Sequence, residues 1–155
     1  GVLATVGTVK SASYVIEIAK FFPELQVFQQ ACPMWVPLVE NNEHEGPGAD
    51  YFVKKYLEEL LAQSAAIDTI VLGCTHSPLL IKKMRAFLPT SVQVVSQGEI
   101  VATSLANYLQ RHPAMEQVCS KQGQTTYYTT ESAIAFDQKA AIFMGEEVHA
   151  KHLAL

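Results

Sequence analysis

The chain has 155 residues, 49% of them apolar and 17% charged, with 11 basic against 15 acidic side chains and a formal net charge of −4. That length suits one compact domain burying roughly 70% of the surface its unfolded form exposes, and the apolar content excludes intrinsic disorder. The mild acidity, with no basic cluster beyond pairs such as Lys54-Lys55 and Lys82-Lys83, argues against a nucleic-acid partner, and no apolar run approaches the roughly 18 residues of a membrane span.

Gly1-Val2-Leu3-Ala4-Thr5 opens the chain with no Met and no polar lead-in, as expected of a piece from within a longer protein. Val2–Val6 reads as a short strand, and Ala12, Val15, Ile16, Ala19 and Phe22 recur at helical spacing. Leu25–Gln30 alternates as a strand does. In CPMWVPLVE, Pro33 and Pro37 deny a long regular element, and residues 41–48 form a loop rich in Asn and Gly. Phe52, Val53, Tyr56, Leu57, Leu60 and Leu61 mark one face of a helix. Ile67–Gly73 is a β-branched run expected to be a strand buried on both faces. Leu79, Leu80, Met84, Phe87 and Leu88 mark another helix, Val92–Val95 a strand, and Ile100, Val101, Leu105, Tyr108 and Leu109 an amphipathic helix. Residues 111–124 read as an irregular surface loop, Thr125–Thr129 as a strand, Ile134–Met144 as a last helix, and Val148–Leu155 as a strand or a frayed end. Strands alternating with helices predict a doubly wound α/β architecture, a parallel sheet with helices on both faces.

In such sheets ligands bind beyond the carboxyl ends of the strands. One junction there is unusual: IDTIVLG runs directly into Cys74-Thr75-His76-Ser77-Pro78. Gly73 permits a tight turn, Ser77 can cap the following helix, and Pro78 suits its first turn. A helix N-terminus and an imidazolium both favour thiolate over thiol at Cys74, and the amides of Thr75 and His76 could hold a carboxylate. A buried Cys after a strand is also ordinary packing. The residues alone leave both readings open, and His76 could equally satisfy a loop carbonyl.

VLGCTHSPLL resembles the second active-site motif of the cofactor-independent glutamate racemases, whose pattern is close to LGCTHYPLL. In the same order, GVLATVGTVKS resembles that family's GVIGTxGTxxS segment and CPMWVPLVEN its CPxFVPLVE segment. SQGEIVA stands where the family has an IDSxEAVA stretch, and YYTT followed by a helix resembles its late strand. The resemblance spans nearly the whole chain. It implies a two-base racemisation of glutamate in which two cysteines flank the α-carbon, without pyridoxal cofactor or metal. Cys74 would be the second cysteine, facing L-glutamate, and His76 its acid–base partner. Glu40 would assist on the same side, Thr75 would bind the substrate carboxylate, and Thr5 and Thr8 are further candidates for polar contacts. His76 stands where the similar aspartate racemases carry Glu, which favours glutamate as substrate. The implied role is the supply of D-glutamate for peptidoglycan in the cytoplasm, the compartment that three cysteines without a C-x-x-C and the absence of a signal peptide also suggest.

The resemblance also implies two lobes, residues 1–95 forming the one that carries Cys74 and residues 96–155 the returning part of the other. The family's first cysteine has no counterpart here, so the isolated chain is expected to be inactive and to associate with another copy or with an N-terminal half. Cys32 lies in a segment that is not catalytic in the family and reads as packing, and Cys119 as an exposed thiol. Trp35 and Phe28 read as core; His44, His112, His149 and His152 as solvated or structural. Ser77 replaces an aromatic of the family motif, and Ser96-Gln97 an Asp-Ser pair. Other readings are a zinc site joining Cys74 and His76 with Cys32 or His44, a redox thiol, and a non-catalytic module that binds a small acidic amino acid.

Overall fold

The computed structural model describes residues 1–154, which fall into two compact units divided after Ile100. In the first unit, β1 (Val2–Ala4), β2 (Gln29–Ala31), β3 (Thr69–Leu72) and β4 (Gln93–Val95) form one sheet in the order β2-β1-β3-β4, with every pairing parallel. The chain winds from β1 to one side and then crosses to the other, which is the doubly wound topology expected. The direction of winding reverses between β1 and β3, the switch point at whose carboxyl edge ligands of such sheets generally bind.

Period-two alternation divides the strand side chains between the two faces. Leu3, Ile70, Leu72 and Val94 join a core with Trp35, Val39, Val53, Leu57, Leu60, Leu80 and Met84. Val2 and Ala4, equally buried, point the other way. On that second face lies the ring of Tyr14, from α2 (Ser13–Phe21): a Cβ placed on Gly73 would meet both Ala4 Cβ and Tyr14 Cε2 at 3.0 Å. α4 (Pro47–Leu61) starts with Pro at its first position and buries Ala49, Val53, Tyr56, Leu57 and Leu60, a helical stripe against the sheet. α5 (Ile81–Phe87) contributes Met84 and is tied to α4 by Lys83 Nζ on Asp50 Oδ1 at 2.6 Å. α3 (Trp35–Glu40) is short, as its proline pair demands.

Several elements differ from the sequence-based expectation. β1 stops at Ala4 because Thr5 becomes the N-cap of α1 (Val6–Ser11), its Oγ1 accepting from Thr8 N. A three-residue β1 can pair only three residues of its neighbour, so β2 shrinks to Gln29–Ala31 and Leu25 is left exposed. β3 is not buried on both faces; Ile70 and Leu72 are buried, Thr69 and Val71 only half so. Ser77 caps no helix. It sits fully buried in a 3₁₀ turn (Ser77–Leu80) that precedes α5.

The second unit holds most of α6 (Gln97–Arg111), then α7 (Pro113–Val118), β5 (Tyr127–Thr129), α8 (Ala133–Met144) and β6 (Ala150–His152). α7 replaces part of the loop expected over 111–124, with Pro113 at the first helical position, where a missing N–H costs nothing. β5 and β6 pair in parallel, joined by α8, which Ser132 caps at one end and Gly145, at φ 69°, closes at the other. Asp137 Oδ1 accepts from Ala150 N at 2.8 Å and so fixes the start of β6. The last residue of the expected terminal strand, Leu155, lies outside the described residues. Ile100, Val101 and Leu105 on α6 are exposed, as are Val118 and Ile134. No described helix is long and apolar enough to cross a membrane.

Candidate active site

Parallel strands bring four chain segments to one edge: Thr5 after β1, Cys32 after β2, Gly73-Cys74 after β3 and Ser96-Gln97 after β4. Cys74 is half-buried there, one residue beyond Gly73, whose N–H still bonds the Leu3 carbonyl of β1 at 2.9 Å. Its Sγ lies 3.8 Å from His76 Nδ1, and Thr75 Oγ1 lies 3.4 Å from the same nitrogen. On the far side of the ring, His76 Nε2 is 3.3 Å from Glu40 Oε1. Glu40 reaches it from the last residue of α3, an element packed beside the 3₁₀ turn that follows His76.

The order thiol, imidazole, carboxylate has a chemical consequence. Nε2–H donating to Glu40 leaves Nδ1 with its lone pair turned toward the Cys74 and Thr75 side. That nitrogen can accept the thiol proton, and the imidazolium so formed donates to thiolate on one side and carboxylate on the other. The ring is mostly shielded, its side chain 20% exposed against 36% for Glu40, so the contacts are damped by water less than a surface pair would be. The helix that was expected to lend its dipole to Cys74 opens instead as a short 3₁₀ turn. It is the imidazole, not a helix end, that the structure sets on the thiol.

Cys74, His76 and Glu40 are thus brought together, with the exposed Thr75 hydroxyl at their rim. Thr5 and Thr8 stand apart in the α1 cap, their hydroxyls 3.0 Å from each other. Cys32 is buried, its Sγ–H pointing at the Gln30 carbonyl 3.6 Å away. Cys119 is exposed in the second unit. His112 and His152 bond the carbonyls of Tyr108 and Glu131. Among the described residues no group of three or more His, Cys, Asp or Glu is arranged to hold a metal ion. A cavity of about 350 Å³ lies beneath Ile18 and Leu25, and one of about 360 Å³ lies along α8; Cys74 lines neither. Sequence reasoning passed over Tyr14 altogether and gave Gln97 no role, yet Gln97 Nε2 donates to Tyr14 Oη and, at 3.1 Å, to the carbonyl of Leu72, the residue two before Cys74. The only sequence signal was a long amide at the end of β4.

Burial pushes the Cys32 thiol well up, a backbone hydrogen bond with Ala4 offsetting part of the effect. The unfolded chain releases this proton above roughly pH 8.5 while the native chain keeps it, so the stabilisation is complete below that pH and declines above it. The unfolding free energy from urea titrations between pH 8 and 10 should fall at the alkaline end by up to about 1.4 kcal/mol per pH unit. Cys32→Ala should flatten that slope; an equal slope in the variant would mean that Cys32 titrates freely in the folded state.

A switch point edged by a thiol 3.8 Å from an imidazole nitrogen defines a doubly wound α/β protein with one polar, chemically equipped strand end. No family model matches the chain. A glutamate racemase of Streptococcus suis is 36% identical over 155 residues, covering 100% of this chain and 58% of its own length. The crystal structure of a glutamate racemase isoform from Bacillus anthracis superposes with a TM-score of 0.85 at 29% identity, over 100% of this chain and 57% of that one. That of Escherichia coli glutamate racemase, in complex with L-glutamate and the activator UDP-MurNAc-Ala, superposes with a TM-score of 0.68 at 25% identity, over 98% of this chain and 56% of that one. The chain is similar over its whole length to glutamate racemases, and it spans a little over half the length of the relatives it matches.

Proposed function

We propose that the protein interconverts L- and D-glutamate by acid–base chemistry at the α-carbon, with Cys74 as one of two bases. The observation that carries this reading is the line Glu40–His76–Cys74 on the carboxyl edge of a racemase-like sheet. The α-proton of an amino acid is very weakly acidic, so a base near neutral pKa and donors on the substrate carboxylate must act together. Cys74, as thiolate, takes the α-proton of L-glutamate and becomes the thiol; the carbanion left behind is protonated on its opposite face by a second acid. In reverse, the Cys74 thiol delivers its proton and is left as thiolate. His76 holds the thiol proton between turnovers, Glu40 holds His76 in the required tautomer, and Thr75 contacts the carboxylate of the substrate. In this reading neither the buried Cys32 nor the exposed Cys119 is the second base, which comes from outside these 155 residues.

In this reading residues 1–95 are the lobe that carries Cys74 and residues 96–155 return to the other lobe. The enzyme works in the cytoplasm, supplies D-glutamate for peptidoglycan, and completes its site with a further racemase segment or a second copy. The test is proton NMR of glutamate in heavy water. Glu40→Gln should lower α-proton exchange at least about tenfold with little change in KM, because the amide can present N–H as well as oxygen to Nε2 and so no longer selects the tautomer. Exchange at the parental rate in both Glu40→Gln and His76→Asn would sink the acid–base reading. Glutamate binding without exchange in the unaltered protein would favour a module that only binds acidic amino acids.

A further inference from the structure

We propose that Gln97, together with Tyr14, is a positioning residue for Cys74: its side-chain amide adds a rung to the end of the sheet and holds the Gly73 backbone on which the thiol is mounted. The inference rests on the acid–base reading of Cys74. The last paired rung between β3 and β4 is Val71 with Val95. Leu72 lies one residue beyond that rung, and its carbonyl accepts from Gln97 Nε2 at 3.1 Å. A carbonyl can only accept, so the amide must present nitrogen to it, and the second N–H of that nitrogen goes to Tyr14 Oη. The Tyr14 ring in turn lies against Gly73, with Cε2 3.0 Å from where a Cβ would stand. Glycine is the residue with the most backbone freedom to lose, and here it is the single link between the sheet and Cys74. Gln97 grips the chain before that link and Tyr14 covers the link itself. The 3.8 Å approach of Cys74 Sγ to His76 Nδ1 depends on this stretch of backbone staying where these two side chains hold it.

The clamp brings together residues 83 positions apart, from α2 and from the first residue of α6. It acts through geometry, and its effect should be read on the thiol itself. The experiment is the pH profile of iodoacetamide alkylation at Cys74, followed peptide by peptide, with the exposed Cys119 of the same molecule as reference. Gln97→Met keeps the length of the side chain and removes both donors; Tyr14→Phe keeps the ring on Gly73 and removes only the hydroxyl. Gln97→Met should move the Cys74 midpoint up by about 0.5 to 1 pH unit, a three- to tenfold loss of thiolate at neutral pH, with Cys119 unmoved and a smaller shift in Tyr14→Phe. Unchanged midpoints in both variants, while His76→Asn shifts the Cys74 midpoint, would overturn the clamp and leave the Cys–His pair standing. If His76→Asn also left the midpoint in place, the acid–base pair would fall and the clamp with it.

Discussion

Cys74→Ala should lower the exchange of the glutamate α-proton with solvent by about 10²–10⁴-fold, the range that a positioned general base contributes. The reason is positional. Cys74 is the one cysteine that stands half-buried at the carboxyl edge of the sheet within reach of an imidazole. Cys32, though also at that edge, is sealed in the core with its proton held by burial, and cannot serve as a substitute base. In the proposed reading the loss falls on kcat with KM little altered, since Thr75, there assigned to the substrate carboxylate, is untouched. Cys74→Ser should sit close to Cys74→Ala, because a hydroxyl has a far higher pKa than a thiol and His76 would have to remove a proton it can barely reach. Proton NMR in heavy water, run from each enantiomer, measures both quantities. Retained exchange in Cys74→Ala would show that another group abstracts the proton.

The largest effect on stability is expected at Trp35. The indole is 1% exposed, packs edge-on to Tyr56 with ring centroids 6.1 Å apart, and starts the helix whose last residue is Glu40. Trp35→Ala should cost about 3–5 kcal/mol, the transfer energy of the ring plus the cavity it leaves. Trp35→Phe should cost far less, under about 2 kcal/mol. The indole Nε1 is buried with no hydrogen-bond partner, so a phenyl ring gives up an unsatisfied donor along with some volume. Urea unfolding followed by far-ultraviolet circular dichroism gives both values; fluorescence would not, as this is the single tryptophan. A cost below about 1 kcal/mol for Trp35→Ala would mean that the core does not close around it. Trp35→Ala should also loosen Glu40 from His76, so its activity should fall further than Trp35→Phe even where both remain folded.

What the sequence by itself determined was local or periodic. The stripe Val53, Tyr56, Leu57, Leu60 announces α4, since an amphipathic helix needs no long-range partner to show its period. The strand-to-turn junction that exposes Cys74 was readable because Gly73, Cys74 and His76 are neighbours in the chain, and strands alternating with helices sufficed for the doubly wound sheet. Strand lengths were not readable, because Leu25–Gln30 alternates well but can pair only where a three-residue β1 offers partners. Nor was the fate of Ser77, whose place in a buried 3₁₀ turn follows from packing against α3 rather than from its capping propensity.

The site itself was decided by tertiary structure. Glu40 meets His76 across 36 residues, and Gln97 meets Tyr14 across 83. Both contacts exist only because the order β2-β1-β3-β4 carries the ends of four strands to one edge. A sequence specifies which side chains can donate, accept or ionise; which atoms they reach is set by the sheet, whose strands stand about 4.8 Å apart whatever the distance between them along the chain.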